Sequence, residues 1–198
     1  IAVPVTASTK FDQKDIELGM ALDITGSMRG SKIADLRNAA KNLVDILLPD
    51  SGQSNKVRIG LAPYSAAINL GDYAGDVSGD ASTDDCVWER TGTDAHTDAA
   101  PSDGNYYKAG GIPTDIDATE GRSNYTCPTA TLEPLTNDKD ALKASINSYR
   151  ADGYTGGHFG ATWAWNLISP AWKDIWPEAS KPTAYGDGKT LKAIILMT

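Results

Sequence analysis

The sequence predicts an α/β fold with a mostly parallel sheet and one antiparallel edge strand. Three features predict it. First, Glu17-Leu-Gly-Met-Ala-Leu-Asp23 is an apolar run that stops abruptly on a carboxylate. Between Gly19 and Asp23 it shows neither strict alternation nor a polar interruption, the pattern of a strand covered on both faces. Second, Ile33, Leu36, Ala40, Leu43 and Leu47 recur at helical spacing soon after it. Third, Leu191 to Met197 is another continuous apolar run and reads as a buried parallel strand. A strand, a helix and a further parallel strand are the units of layered α/β domains.

Taken in order, Ile1 to Thr9 reads as a short strand or an extended lead-in, and Ile1-Ala-Val-Pro-Val5 is too short to anchor the chain in a bilayer. Asp15 to Asp23 is the first strand. Ser31 is placed to cap the helix that follows; Ala39 and Ile46 widen its apolar face, and Pro49 with Asp50-Ser-Gly52 stops it. Lys56 to Tyr64 reads as a second strand through Val57, Ile59 and Leu61, with Ser65 to Leu70 as its hairpin partner. From Gly71 to about Thr131, Gly, Asp, Ser and Thr dominate and apolar periodicity is lost. So long a connection reads as a structureless inserted surface loop. Periodicity resumes over Asp138 to Arg150, with Leu142, Ile146 and Tyr149 on one face, Asn137 as N-cap and Gly153 as stop. Tyr154-Thr-Gly-Gly157 is a loop. His158 to Ile168 is a helix with Phe159, Trp163 and Leu167 on one side, ended by Pro170, and Ala171 to Trp176 is a further helical turn. The last strand reaches Thr198, the final residue, from which we expect a domain that continues past it.

The 198 residues suffice for one domain, 1–198, with a substantial core, interrupted by the loop-rich region 71–131. A net charge of -8 and a pI of about 4.7 argue against a nucleic-acid backbone or an anionic membrane surface as partner. No run is long enough to span a bilayer, and none reads as a signal peptide, so any membrane segment or export signal lies outside these residues. The two cysteines, Cys86 and Cys127, form no Cys-x-x-Cys or Cys/His cluster of the kind zinc requires. Flanking a polar region without its own core, they read as a disulfide formed in an oxidising compartment; two unrelated buried thiols are the alternative.

The chemistry centres on Asp23-Ile-Thr25-Gly-Ser27. A strand delivers one carboxylate to its carboxyl end, and the loop adds two hydroxyls at alternate positions. That donor set suits a hard divalent cation, which takes oxygen ligands and retains water. The bland alternative is that Asp23 caps the loop while Thr25 and Ser27 make turn hydrogen bonds. At these residues the chain resembles the von Willebrand factor A family, whose metal-ion-dependent adhesion site begins Asp-x-Ser-x-Ser after the first strand; here the middle position is Thr25. The resemblance implies a doubly wound, Rossmann-like sheet. It implies Mg2+, or Mn2+ or Ca2+, held by Asp23, Thr25, Ser27 and, from the Gly153-Tyr-Thr155-Gly-Gly loop, Thr155. It also implies a late aspartate, which would fall one position beyond Thr198. For Thr155 the alternative is a surface residue on a plain helix–helix connection.

Taken together, Ala21 to Met28, Cys86-Val-Trp-Glu-Arg90, Pro134-Leu-Thr-Asn-Asp138, Thr162-Trp-Ala-Trp165 and Leu167-Ile-Ser-Pro170 are similar to the TadG-like branch of that family. Its members are bacterial proteins associated with tight-adherence (Flp) pilus assembly. The similarity implies a periplasmic or cell-surface domain, membrane-anchored in the full-length protein. It implies adhesion without bond chemistry, in which a protein partner, such as a pilus component or a surface ligand, supplies an acidic side chain to the ion. Two other readings stand beside it: a pilus-assembly scaffold with a decayed metal site, and a metal-dependent hydrolase. For the hydrolase, Ser27 needs a base, the only histidines are His96 and His158, and Gly-x-Ser-x-Gly is absent. A phosphotransfer role for Asp23 lacks a second Asp two residues on and a Gly-Lys-[Ser/Thr] loop. Asp94, Asp98 and Asp103 do not match a Ca2+-binding EF-hand and read as a solvated acidic loop. Asn124-Tyr-Thr126 matches a glycosylation sequon, incidental in a bacterial protein. Trp163, Trp165, Trp172 and Trp176 read as core with a partly exposed edge rather than a carbohydrate platform.

Overall fold

A computed structural model describes residues 14–49, 56–80, 85–109 and 127–198. The lead-in at 1–9 and the sequon at 124–126 lie outside the described residues. The order is β1 (Asp15–Asp23), α1 (Ser31–Leu47), β2 (Val57–Tyr64), β3 (Ile68–Asn69), α2 (Ala74–Ser78), β4 (Cys86–Arg90), β5 (Tyr107–Ala109), β6 (Glu133–Thr136), α3 (Lys139–Ser148), α4 (Gly157–Ile168) and β7 (Thr190–Met197).

The main sheet runs β6-β2-β1-β7. β1 is parallel to both neighbours, β2 and β7, and β6 is antiparallel to β2. Alternate residues of β1 feed two cores. Leu18, Met20 and Leu22 face α1 and α3, whose Ile33, Leu36, Ala40, Val44, Leu142 and Ile146 cover them. Ala21 faces α4, with Trp163, Ala164 and Leu167. Helices on both faces explain why β1 lacks alternation. The approach of α4 is close: a Cβ at Gly19 would lie 2.1 Å from the Ala164 carbonyl oxygen. This is the doubly wound, mostly parallel architecture expected from the sequence.

Several local expectations are corrected. Ser65 to Leu70 is not the hairpin partner of β2: only Ile68–Asn69 is extended, and it opens a separate antiparallel sheet, β3-β4-β5. The antiparallel edge of the main sheet is β6 instead, which arrives from far along the chain. Gly30, not Ser31, occupies the N-cap of α1; its φ of 84° turns the chain into the helix, and no side chain caps it. Asp138, not Asn137, caps α3, its carboxylate accepting from the Ala141 N–H. α3 ends at Ser148, before Gly153 is reached. Ala39 and Ile46 lie outside the apolar stripe of α1, and Ile46 is 73% exposed. β7 is parallel as expected but forms a sheet edge, so Leu191, Ile194 and Leu196 are exposed.

The region after Gly71 is not structureless. It carries α2, β4 and β5, and Val77, Val87 and Tyr107 join the α4-side core. Cys86 and Cys127 form the expected disulfide, with Cα atoms 5.7 Å apart. Buried Arg90 ties the connection after β4 by donating to the carbonyls of Asp94, Thr97 and Ala99, and its guanidinium lies over the Tyr107 ring. Asp98 is half-buried and bonded within the molecule: its carboxylate accepts from Ser169 Oγ at 2.6 Å and from the Tyr185 hydroxyl at 2.8 Å. The expected solvated loop is instead clasped to the end of α4. Of the tryptophans, Trp163, Trp172 and Trp176 are core and Trp165 is half-buried, as anticipated.

Candidate functional site

The site is built where parallel strands end. In β1 and β2, Asp23 is paired with Tyr64, so both side chains project from the α4 face of the sheet. Asp23 is 2% exposed. One carboxylate oxygen, Oδ1, accepts the Thr25 N–H at 2.9 Å; the other, Oδ2, accepts the Thr198 hydroxyl at 2.6 Å. The first contact is what the turn reading predicts. It leaves lone pairs on both oxygens, since a carboxylate accepts about four bonds. Among the described residues no Lys, Arg or His pairs with Asp23, although the molecule's other buried carboxylate, Glu17, is paired with both Arg58 and Lys192.

The hydroxyls follow. Thr25 is fully buried, Ser27 is exposed, and their oxygens lie 2.9 Å apart. Gly26 to Met28 forms a single tight turn that sets this spacing.

The loop bearing Thr155 is stitched to both strand ends. The Asp152 N–H donates to Ile24 O at 2.8 Å, the Gly26 N–H to Gly153 O at 2.8 Å, and the Gly156 N–H to Ser65 O at 2.9 Å. A Cβ at Gly26 would come 3.0 Å from the Gly153 carbonyl, and Gly153 has a φ of 77°. Both glycines are therefore required by the junction. Thr155 sits between the anchored Gly153 and Gly156 and is exposed. Arg29 closes the rim, ion-paired with Asp152 and donating to Ala151 O at 3.3 Å.

Thus Asp23, Thr25 and Ser27 occupy one loop, and the Thr155 loop is bonded directly to it. These are hard oxygen donors near a buried carboxylate that has no cationic partner among the described residues, a donor chemistry that fits a divalent cation. It holds a single carboxylate; among the described residues no cluster of three or more His, Cys, Asp or Glu is placed to hold a metal. His158 is exposed and lies against Phe159, ring centroids 3.9 Å apart, while Ser27 shares its hydrogen bond with Thr25.

Sequence reasoning missed Tyr64 and the Ser65 carbonyl. Tyr64 reads only as the end of an apolar strand; the signal lay in the register that sets it beside Asp23.

No family model and no curated protein sequence matches the chain. Among solved structures, it is similar to the three N-terminal domains of the type V pili tip protein Mfa5 from Porphyromonas gingivalis, with 16% identity and a TM-score of 0.48 over 93% of this chain and 19% of that one. The vWF domain of Mfa5 gives 16% identity and a TM-score of 0.47 over 93% and 38%. The open conformation of the pilus adhesin SpaC from Lactobacillus rhamnosus GG gives 17% and 0.42 over 96% and 15%. This chain therefore spans less than two-fifths of the length of each of these three chains. Likenesses of this size leave the functional reading to the chain's own residues. Among those described, no helix is long and apolar enough to cross a membrane.

Proposed function

We propose that the chain is a non-enzymatic, divalent-cation-dependent adhesion or protein-binding domain of a bacterial pilus-associated exported protein. The observation that carries this reading is Asp23: a carboxylate 2% exposed, without an ion-pair partner among the described residues, at the mouth of a parallel sheet and beside two loop hydroxyls. Open α/β sheets place ligands at the carboxyl ends of their strands, and a buried charge is normally paired or bound to metal. Asp23, Thr25, Ser27 and Thr155 hold Mg2+, Mn2+ or Ca2+. The ion supplies a Lewis-acidic centre whose charge three neutral hydroxyls leave largely uncompensated. An acidic side chain of a protein partner completes its coordination. The resemblance to the TadG-like branch supports a periplasmic or cell-surface location, with any membrane anchor in another segment.

One observation favours the scaffold reading instead: both Asp23 oxygens already accept hydrogen bonds within the protein. Calorimetric titration with MnCl2 separates the two. The adhesion reading expects saturable uptake by the wild type and its loss in Asp23→Ala, with circular dichroism unchanged. A wild type that takes up no Mn2+, or an Asp23→Ala variant that binds as well as the wild type, sinks the metal-dependent reading.

A further inference from the structure

We infer that Tyr64 is a positioning residue that fixes both halves of the candidate site, orienting the Asp23 carboxylate with its hydroxyl and setting the seat of α4 with its ring. The inference rests on the reading of Asp23 as a metal ligand, and it concerns a residue that the donor set does not include.

The geometry is that of three adjacent strand ends. Asp23 pairs with Tyr64 in the β1–β2 register, and the β1–β7 pairing of Leu22 with Met197 brings Thr198 level with Asp23 on the other side. Tyr64, Asp23 and Thr198 therefore stand side by side on one face, Asp23 between two hydroxyl-bearing residues. Thr198 donates to Asp23 Oδ2 at 2.6 Å. The Tyr64 phenol interacts with both Asp23 and Thr198. At 1% exposure it is shielded from bulk water. The Ile24 N–H donates to the Tyr64 carbonyl at 3.0 Å, which locks the backbones of the two residues together at the point where β1 turns into the donor loop.

The ring does a second job. It packs against α4 at Gly160, where a Cβ would meet Tyr64 Cδ1 at 2.2 Å. α4 begins at Gly157, directly after the Thr155 loop. The Tyr64 ring thus limits how closely the end of β2 approaches this helix at Gly160, and the Thr155 loop leads into the same helix. A single side chain gauges the carboxylate on one side and the helix carrying the second loop on the other. Outer groups that orient a metal ligand commonly matter as much as this to affinity.

Tyr64→Phe keeps the ring on Gly160 and removes only the hydroxyl. Two readouts are taken on the full chain, with Asp23→Ala as control. The first is Mn2+ affinity by electron paramagnetic resonance; we expect Tyr64→Phe to weaken it by about tenfold or more, with an unchanged melting temperature. The second needs no metal: the Asp23 side-chain carboxylate carbon resonance, assigned by its loss in Asp23→Ala, shifts in metal-free Tyr64→Phe. A resonance that stays at its wild-type position overturns the inference, as does wild-type Mn2+ affinity in the variant. If the wild type itself takes up no Mn2+, the metal reading fails, and the carboxylate resonance still decides for or against Tyr64.

Discussion

At the scale of single residues, the donor loop is a problem of placing oxygens where water is scarce. Thr25 is fully buried, so its hydroxyl needs a partner, and Ser27 supplies one at 2.9 Å. On the proposed reading the Thr25 hydroxyl is a ligand, and its methyl is not. We therefore expect Thr25→Ser to bind Mn2+ within a few-fold of the wild type. Thr25→Val keeps the shape and loses the donor, and should weaken binding by about tenfold at least, the scale seen when coordination support is removed. Titration calorimetry of the two variants measures the difference; equal affinities would show that Thr25 is not a ligand. The proximity of Asp23, Thr25 and Ser27 was legible in the sequence because their spacing is local: they lie within five residues. Tyr64 was not, since nothing near it in sequence announces that register sets it against a carboxylate 41 positions away.

At the scale of elements, the ends of strands decide more than their middles. β7 starts where Asp187 gathers the chain: its Oδ1 accepts the N–H groups of Lys189 and Thr190, and its Oδ2 accepts the Thr190 hydroxyl. These bonds, the Thr190 ones foremost, pull the Asp187 carboxyl down to about 2 from an ordinary 3.8. A carboxyl depressed by folding contributes stability that is present above its unfolded value and lost as pH falls toward its folded one. The contribution of Asp187 is therefore complete above about pH 4 and fades between 3.8 and 2. We expect Asp187→Asn to melt below the wild type at pH 5 and the gap to close by pH 2, as followed by thermal denaturation across that range. A gap independent of pH would mean that the turn does not depend on the charge. β7 also shows what an apolar run leaves open. Ala193, Ile195 and Met197 pack on the α1 side, but Leu191, Ile194 and Leu196 remain exposed because β7 is an edge in this sheet. The run specifies an extended apolar segment; the neighbour that covers it is set elsewhere.

At the scale of the whole molecule, the disulfide joins the second sheet to the segment entering β6. Cys86 lies on β4, and Cys127 is 41 residues further on, just before the Asn69 side-chain amide donates to Pro128 O and the Leu132 N–H donates to Asn69 O. Closing a loop of that length stabilises by about 3–4 kcal/mol on the chain-entropy account. The Cys86→Ser/Cys127→Ser variant should lose stability of that order in urea denaturation; a loss well below 1 kcal/mol would show that the β3-β4-β5 sheet and its core hold the segment unaided. Local pattern by itself determined α1, α3 and α4, the buried character of β1 and β2, the loop that follows β1 and the pairing of the only two cysteines, because each depends on periodicity, spacing or count. Only the tertiary structure decided that β6 rather than Ser65–Leu70 forms the antiparallel edge, that the polar stretch after Gly71 builds a sheet, that Asp98 is a clasp, and that the Thr155 loop is bonded to the donor loop. Those outcomes join residues tens of positions apart, and which distant backbone groups find one another is fixed by the packing of the whole core rather than by any short stretch of chain.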